Sequence, residues 1–133
     1  MTLISRKIVC VDDDTDDLSF LTDAILELDP SFEVIEFKNG VEAIDYLSTA
    51  KETDNLPCLI LLDMNMPLLD GKQTLEKIRT DLRLDRLPVV IFTSSENPND
   101  KMLFKQKGVD MFTKPFTVTE LHGLVQKFLL YCD

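Results

Sequence analysis

Three aspartates directly follow two short apolar runs of this chain, a place where a carboxylate can do chemistry. Asp12 and Asp13 come after the run Ile8–Val11. Asp63 comes after Leu59–Leu62, four aliphatic residues without polar alternation. Such an aspartate can cap the next helix, bind a cation or act as a nucleophile toward phosphorus. The position of Asp63 alone does not decide between these roles.

Two further side chains complete the candidate set. Thr93 ends an apolar run and offers a hydroxyl, and Lys114 follows another and offers a compact positive charge. If the fold brings the three aspartates to within about 4 Å, each pair costs on the order of 4 kcal/mol at an effective dielectric of about 20. Protons or a cation must then be recruited. Because the donors are hard oxygens without a nearby His or Cys, Mg²⁺ or Mn²⁺ is the expected cation.

The elements that must position these side chains are five strands alternating with five helices. The predicted strands are Ile8–Val11, Phe32–Phe37, Leu59–Leu62, Val89–Phe92 and Val109–Phe112. Apolar residues at helical spacing lie between and after them, within Leu18–Leu28, Val41–Leu47, Leu75–Leu82, Met102–Phe104 and Leu121–Leu129. Mostly buried strands with helical crossovers predict an α/β fold with a doubly wound, open parallel sheet and helices on both faces.

The strand order decides whether the candidate residues meet. For five strands the flavodoxin-like order is 2-1-3-4-5, with its switch point between strands 1 and 3. That order puts Asp12 and Asp13 beside Asp63 and places Thr93 and Lys114 on the next two strand ends. All five residues are therefore expected to open into one crevice at the carboxyl edge of the sheet.

Length and composition narrow the function classes. The chain has 133 residues, which is enough for one domain with its own core, and a formal net charge of −10 from 14 basic and 24 acidic residues. This charge disfavours nucleic acid as a partner and favours transient protein contacts. Neither an apolar run long enough to span a membrane nor a signal peptide is recognisable, so a soluble cytoplasmic protein is expected.

Three cysteines and three further acids are not expected to take part in the chemistry of the site. Cys10, Cys58 and Cys132 are far apart in sequence, and two lie in or beside apolar strands, so buried reduced thiols are expected rather than a disulfide, a metal site or a nucleophile. The remaining acids near the first helix are expected to be solvated or helix-start charges. They are Asp14, Asp16 and Asp17.

The ordered set resembles the receiver domain of two-component response regulators. The residues that carry the resemblance are Asp12-Asp13, Asp63 within Leu-Leu-Asp-Met-Asn-Met-Pro, Thr93 and Lys114-Pro115. They occur in the family's order and at similar spacing over essentially the whole chain. The resemblance implies that residues 1–133 form a single receiver domain.

The resemblance also implies a role for each acidic residue. Asp63 is the phosphoacceptor, and it contributes to a Mg²⁺ site. Asp13 binds the cation directly and Asp12 acts through water. The backbone carbonyl of Asn65 is a further ligand.

The remaining positions of the family pattern concern how phosphorylation is converted into an output signal. Thr93 and Lys114 are implied to contact the phosphoryl group, and the Lys114–Pro115 peptide bond is cis in the family. Receivers usually carry Tyr or Phe three residues before the lysine as a rotamer switch, whereas this chain has Met111 there, followed by Phe112. Met is unbranched and adaptable, so the output signal is expected to be read differently.

The implied mechanism is a phosphorelay. A histidine kinase or a histidine phosphotransfer protein donates the phosphoryl group, and its hydrolysis resets the domain, which is not a multiple-turnover enzyme. The fourth helix, fifth strand and fifth helix then present a changed surface to a downstream protein, without direct contact to DNA or membrane. Because no output domain follows the last helix, the chain is expected to be a stand-alone receiver or an excised domain. Dimerisation through the last helices is left open.

Three alternatives compete with this interpretation. A haloacid-dehalogenase-type phosphatase would use Asp12-Asp13-Asp14-Thr15, but it leaves Asp63 without a role and lacks an acidic pair after Lys114. A flavodoxin-like electron carrier needs a phosphate loop after the first strand, where this chain is acidic and would repel FMN. A degenerate receiver that never accepts phosphate is the third.

Overall fold

The computed structural model of the protein describes residues 6–53 and 55–133. Its strands are β1 (Lys7–Val11), β2 (Glu33–Phe37), β3 (Leu59–Leu62), β4 (Val89–Thr93) and β5 (Asp110–Thr113). Its helices are α1 (Thr15–Leu28), α2 (Gly40–Ala50), α3 (Gly71–Thr80), α4 (Pro98–Gln106) and α5 (Val118–Leu129). Short 3-10 turns follow α2 at Lys51–Thr53 and α5 at Leu130–Cys132. The predicted alternation of five strands and five helices is confirmed.

The five strands form one parallel sheet in the order β2-β1-β3-β4-β5, as predicted. β1 and β3 are neighbours, with Val11 opposite Leu62 in the register. The two residues that follow, Asp12 and Asp63, therefore leave the sheet side by side. β2 forms one edge, and its residues are only partly buried or exposed, as expected for an edge strand.

Strand residues alternate between two apolar cores, one on each face of the sheet. Ile8 and Cys10 of β1 belong to the core beneath α1 and α5, whereas Val9 and Val11 belong to the core beneath α2, α3 and α4. This period of two is the normal consequence of the pleat. Helices on both faces confirm the doubly wound architecture. Within the part of the chain that is described, no helix has the length and apolar character needed to cross a bilayer.

Polar residues set the ends of the helices nearest the site. Asp14 caps α1 by accepting hydrogen bonds from the amides of Asp16 and Asp17, as helix-start acids do. α3 ends at Thr80, because the next residue adopts an extended backbone. Leu82, expected on the buried face of α3, is consequently 89 % exposed. That prediction was wrong because the helix ends two residues before Leu82.

The expectation that all cysteines are reduced was also wrong. Cys58 and Cys132 form a disulfide with a Cα–Cα distance of 5.1 Å, although 74 residues separate them. The bond arises because the turn after α5 passes beside the start of β3, a proximity that sequence spacing does not reveal. Cys10 is a buried free thiol, as predicted, and burial raises its pKa.

Candidate functional site

The three candidate carboxylates meet at the carboxyl edge of the sheet. Oxygen atoms of Asp12, Asp13 and Asp63 lie within 4.8 Å of one another. Backbone hydrogen bonds continue the sheet by one residue and fix this arrangement, since the Asp63 amide donates to the Val11 carbonyl at 3.0 Å and the Asp12 amide donates to Phe37 at 3.0 Å. Asp12 and Asp63 are 7 % exposed, whereas Asp13 faces solvent.

Lys114 supplies the positive charge of this cluster. Its Nζ donates to Asp12 Oδ2 at 2.5 Å and to Asp17 Oδ2 at 2.8 Å, and it lies 3.8 Å from Asp63 Oδ2. The side chain is 13 % exposed, so these contacts replace most of its hydration. The ammonium therefore bridges carboxylates that come from three different parts of the chain.

Burial and pairing shift the pKa values of Asp12 and Lys114. Burial raises the pKa of Asp12 to about 6, and the neighbouring charge of Asp63 acts in the same direction, while hydrogen bonds from Lys114 and from the Asp14 amide oppose it. For Lys114, burial alone lowers the pKa. The hydrogen bonds with Asp12 and Asp17 and the charge of Asp63 outweigh that effect and raise it. Lys114 is therefore a permanent cation at neutral pH.

Asp17 belongs to the site, although the sequence reasoning treated it as a solvated helix-start charge. It lies in the first turn of α1, with Leu18 and Leu21 on the buried face, and its carboxylate reaches Lys114. One signal could have found it. Because residues four apart share a helix face, Asp17 falls in line with Leu21, whereas Asp16 does not.

The loop after β3 is held tightly behind the Asp63 side chain. Asp63 Oδ1 accepts a hydrogen bond from the Met64 amide at 2.9 Å, which leaves Oδ2 on the side of Lys114. Gly71, the first residue of α3, lies so close to this loop that a Cβ there would approach the Asp63 carbonyl oxygen to 2.4 Å. A capping box between Asp70 and Gln73 begins α3 at this point. The backbone thus orients the carboxylate.

The two remaining predicted residues also lie at this edge. Thr93 ends β4 and is fully buried, and its Oγ1 accepts a hydrogen bond from the Ser95 amide at 3.2 Å. The Lys114 amide donates to the Thr93 carbonyl at 2.8 Å, which joins the ends of β4 and β5. The side chain of Asn65 is exposed in the loop after Asp63.

The peptide bond between Lys114 and Pro115 is trans, since no peptide bond in residues 6–53 and 55–133 is cis. The expectation of a cis bond at this position was wrong. The trans isomer is the one that a bond before proline normally prefers, by about 0.5–1 kcal/mol.

Comparison with known proteins decides the family. A family model described as the response regulator receiver domain matches residues 8–126. The chain belongs to this family. Receiver domains are the phosphoacceptor modules of two-component systems rather than classical enzymes.

Two curated relatives illustrate the range of similarity. Response regulator Rre1 from Synechocystis sp. strain PCC 6803 is 39 % identical over 107 residues, covering 80 % of this chain and 44 % of Rre1. Response regulator Rcp1 from the same organism is 31 % identical over 124 residues, covering 91 % of this chain and 84 % of Rcp1. The receiver chain thus spans less than half the length of Rre1 but most of the length of Rcp1.

Solved receiver structures share the whole fold. The phosphorylated cyanobacterial phytochrome response regulator RcpA superposes with a TM-score of 0.84 at 31 % identity, covering 96 % of this chain and 94 % of RcpA. The Mn²⁺-bound form of Rcp1 superposes with a TM-score of 0.80 at 30 % identity, covering 93 % of this chain and 91 % of Rcp1.

Membership of the receiver family excludes the phosphatase and the electron carrier as the identity of this chain. The local structure also argues against the phosphatase. Asp14, the second aspartate of its motif, is engaged as the N-cap of α1, while Asp63 lies in the carboxylate cluster.

The aromatic position of this receiver is occupied by Met111, and Phe112 is in no position to replace it. Neighbouring residues of a strand face opposite sides of the sheet. Met111 packs on the core beneath α2, α3 and α4, whereas Phe112 packs on the other core, edge to face with Phe128 at a ring distance of 5.3 Å. Of these two neighbouring residues, Met111 is therefore the one on the α4 side of β5.

Proposed function

We propose that this receiver domain accepts a phosphoryl group on Asp63 in a Mg²⁺-dependent reaction, and that residues 1–133 work as one such unit. The observation that carries the proposal is the cluster of Asp12, Asp13 and Asp63 oxygens within 4.8 Å of one another. The cationic Lys114 beside it can compensate charge that arrives on Asp63.

The donor atoms of the cluster fit a small, hard divalent cation. Mg²⁺ binds through one or two carboxylates and keeps several waters, which suits a site with two buried carboxylates and one that faces solvent. We assign Asp12, Asp13, Asp63 and the Asn65 carbonyl as the groups that hold it. Mn²⁺, the cation in the related Rcp1 structure, suits the same oxygens. When bound, the cation neutralises charge on the phosphoryl oxygens.

The chemical step is a nucleophilic displacement at phosphorus. Asp63 Oδ2, on the side of Lys114, attacks the phosphorus of a phosphohistidine. The new bond is an acyl phosphate P–O bond. The P–N bond breaks, and its electron pair stays on the imidazole nitrogen, which takes up a proton. Hydrolysis returns inorganic phosphate and the free carboxylate, and the receiver itself catalyses both steps.

Thr93 and Lys114 are proposed to bind the phosphoryl oxygens. Lys114 lies 3.8 Å from Asp63 Oδ2 and already pairs with two other carboxylates, so a phosphoryl group on Asp63 draws it away from Asp12 and Asp17. The Thr93 hydroxyl oxygen accepts a hydrogen bond from the Ser95 amide. To donate to a phosphoryl oxygen, Thr93 must rotate this hydroxyl. Both movements transmit the structural effect of phosphorylation to the ends of β4 and β5.

The output surface is proposed to be the face formed by α4, β5 and α5. α4 is joined to the start of α3, directly after the Asp63 loop, by an ion pair of 2.7 Å between Lys72 and the largely buried Asp100. The same helix exposes Met102, at 63 %, and Lys101. An apolar side chain beside positive charges favours a protein target, and the net charge of −10 disfavours DNA.

The phosphodonor is proposed to be a histidine kinase or a histidine phosphotransfer protein that docks on the apolar rim of the site. A cavity of about 350 Å³ begins at Lys114 and Asp17 and continues between α1 and the loop after β5. Phe20, Phe116 and Val118 line it and are exposed. Because a donor must bring its histidine to Asp63, its surface has to cover this rim.

Phosphorylation by acetyl phosphate tests the proposal without a partner protein. Incubation with acetyl phosphate and Mg²⁺ should add one phosphoryl group, seen by intact mass, that is stable to acid and labile to hydroxylamine. Asp63→Asn should abolish the addition, and chelation of Mg²⁺ should suppress it.

Asp70→Asn is the matched control, since it changes a carboxylate of the same loop. Asparagine caps helices as well as aspartate does, so the start of α3 should survive. This variant should be phosphorylated like the wild type. An unchanged mass of the wild type after incubation would overturn the proposal.

A further inference from the structure

The disulfide lies at the edge of the sheet opposite the carboxylate cluster. Cys58 immediately precedes β3, the strand that ends before Asp63, and Cys132 closes the turn after α5. The bond therefore fastens the end of α5, an element of the proposed output face, to the start of the strand that carries the phosphoacceptor.

The sheet does not need this bond. Cys58 precedes the paired residues of β3 and is held by its own amide, which donates to the Lys7 carbonyl at 2.9 Å. Cys132 lies in a single 3-10 turn beyond the helix. The packing of α5 itself rests on Leu121, Val125 and Phe128. Cleavage of the bond thus removes the covalent link of the last turn and leaves both cores in place.

The two cysteines differ in exposure. Cys58 is only partly buried, whereas Cys132 is 4 % exposed. An attacking thiolate therefore reaches the sulfur of Cys58 first, and Cys132 is the leaving group. The third cysteine, Cys10, is fully buried within β1, so it neither attacks the bond nor competes for either partner. Cys58 and Cys132 therefore form one defined thiol–disulfide pair.

We propose that Cys58 and Cys132 are a reversible thiol–disulfide site, exchanging with low-molecular-weight thiols such as glutathione, that controls the attachment of the α5 end. A thiolate attacks the Cys58 sulfur, the Cys58–Cys132 bond breaks, and Cys132 leaves as a thiolate and takes up a proton. A second thiolate attacks the external sulfur of the mixed disulfide and releases Cys58. Two external thiols are oxidised to one disulfide, and two protein thiols form.

The turn that carries Cys132 also contacts β5. Tyr131, next to Cys132, donates a hydrogen bond to the carboxylate of Asp110 at the start of β5. Once the covalent bond is cleaved, this hydrogen bond, the burial of Cys132 and the packing of Tyr131 against the core beneath α1 and α5 still hold the turn. The redox state thus acts on the edge of the α4, β5 and α5 face, at the end remote from Asp63.

A glutathione redox titration with alkylation under native conditions tests the inference. The oxidised protein should bind no alkylating reagent, and the reduced, folded protein should bind two equivalents, on Cys58 and Cys132. Cys10 should react only after unfolding. Hydrogen exchange should become at least tenfold faster at residues 130–133 on reduction, and it should stay unchanged in β1, β3 and β4.

Two outcomes would overturn the inference. One is a disulfide that survives every glutathione ratio until denaturant is added, which would make it a fixed cross-link. The other is oxidised protein that yields three alkylatable thiols on unfolding, which would mean that the bond does not form. Cys132→Ser should reproduce the exchange behaviour of the reduced state without glutathione, whereas Cys10→Ala should titrate like the wild type.

The inference does not rest on the proposed phosphorylation. Both redox forms should accept a phosphoryl group from acetyl phosphate, because the cysteines lie at the opposite end of β3 from Asp63. Failure of phosphorylation with a normal thiol titration would refute only the proposed function.

Discussion

Replacing Asp13 by asparagine should stabilise the metal-free protein and weaken its response to Mg²⁺. Asp13 is the exposed member of the carboxylate cluster, with oxygens of Asp12 and Asp63 within 4.8 Å. At that separation a pair of like charges costs about 3.5 kcal/mol at an effective dielectric of about 20, and about 0.9 kcal/mol in bulk water. Lys114 offsets part of the repulsion.

Solvent exposure decides which of these limits applies. Because Asp13 faces water, its two interactions lie near the lower limit, and we expect Asp13→Asn to raise the free energy of unfolding by about 1–2 kcal/mol without divalent cations. The gain should shrink in about 1 M salt, where charges are screened within about 3 Å. Urea unfolding followed by circular dichroism, with and without a chelator, measures it.

Magnesium should reverse the order of stabilities. A cation that binds only the native state stabilises it by about 2.7 kcal/mol at a concentration of about 100 times its dissociation constant. The wild type should gain this increment at a lower Mg²⁺ concentration than Asp13→Asn does. Asp23→Asn is the matched control, since it removes one exposed charge of α1 outside the cluster.

The reasoning would be refuted by either of two results. The first is that Asp13→Asn proves less stable than the wild type in the presence of chelator. The second is that Asp13→Asn and Asp23→Asn raise the free energy of unfolding by the same amount, which would trace the effect to the net charge of −10 rather than to the cluster.

Three further predictions concern other parts of the fold. Gly71→Ala should lower the free energy of unfolding by about 2 kcal/mol in urea titrations, because its Cβ would meet the Asp63 carbonyl oxygen at 2.4 Å; unchanged stability would contradict this packing. Tyr131→Phe should cost about 1 kcal/mol at neutral pH through the lost hydrogen bond to Asp110. The pKa of Tyr131 is raised from 10.0 to about 12 by burial and by Asp110, so the native state keeps this proton longer than the unfolded state. Wild-type stability should therefore fall as the pH rises from 10.0 to about 12, and a Tyr131→Phe variant with the same slope would disprove the assignment. Reduction of the disulfide should lower the free energy of unfolding by about 4 kcal/mol, since the bond closes a loop across 74 residues; equal urea midpoints for both redox forms would argue against a cross-link in the native state.

The sequence by itself was sufficient for the sheet and for the members of the carboxylate cluster. Uninterrupted aliphatic runs identify buried parallel strands, and an order common to five-stranded sheets brings Asp12, Asp13 and Asp63 to one edge. These inferences succeed because they depend on local patterns and on chain connectivity. The end of α3 was predicted less well, since Leu82 matched the apolar spacing but a single extended residue stopped the helix before it.

Only the tertiary structure decided which side chains complete each site. Asp17 reaches Lys114, which lies 97 residues away, because α1 and the end of β5 adjoin the same crevice. The pairing of Cys58 with Cys132 likewise depends on how the turn after α5 packs against the sheet. Such contacts join residues that are distant along the chain, and their distances are set by the packing of whole elements. No local pattern encodes that packing, so the carboxylate cluster beside Lys114 was predictable, whereas the ion pair of Lys114 with Asp17 and the pairing of Cys58 with Cys132 were not.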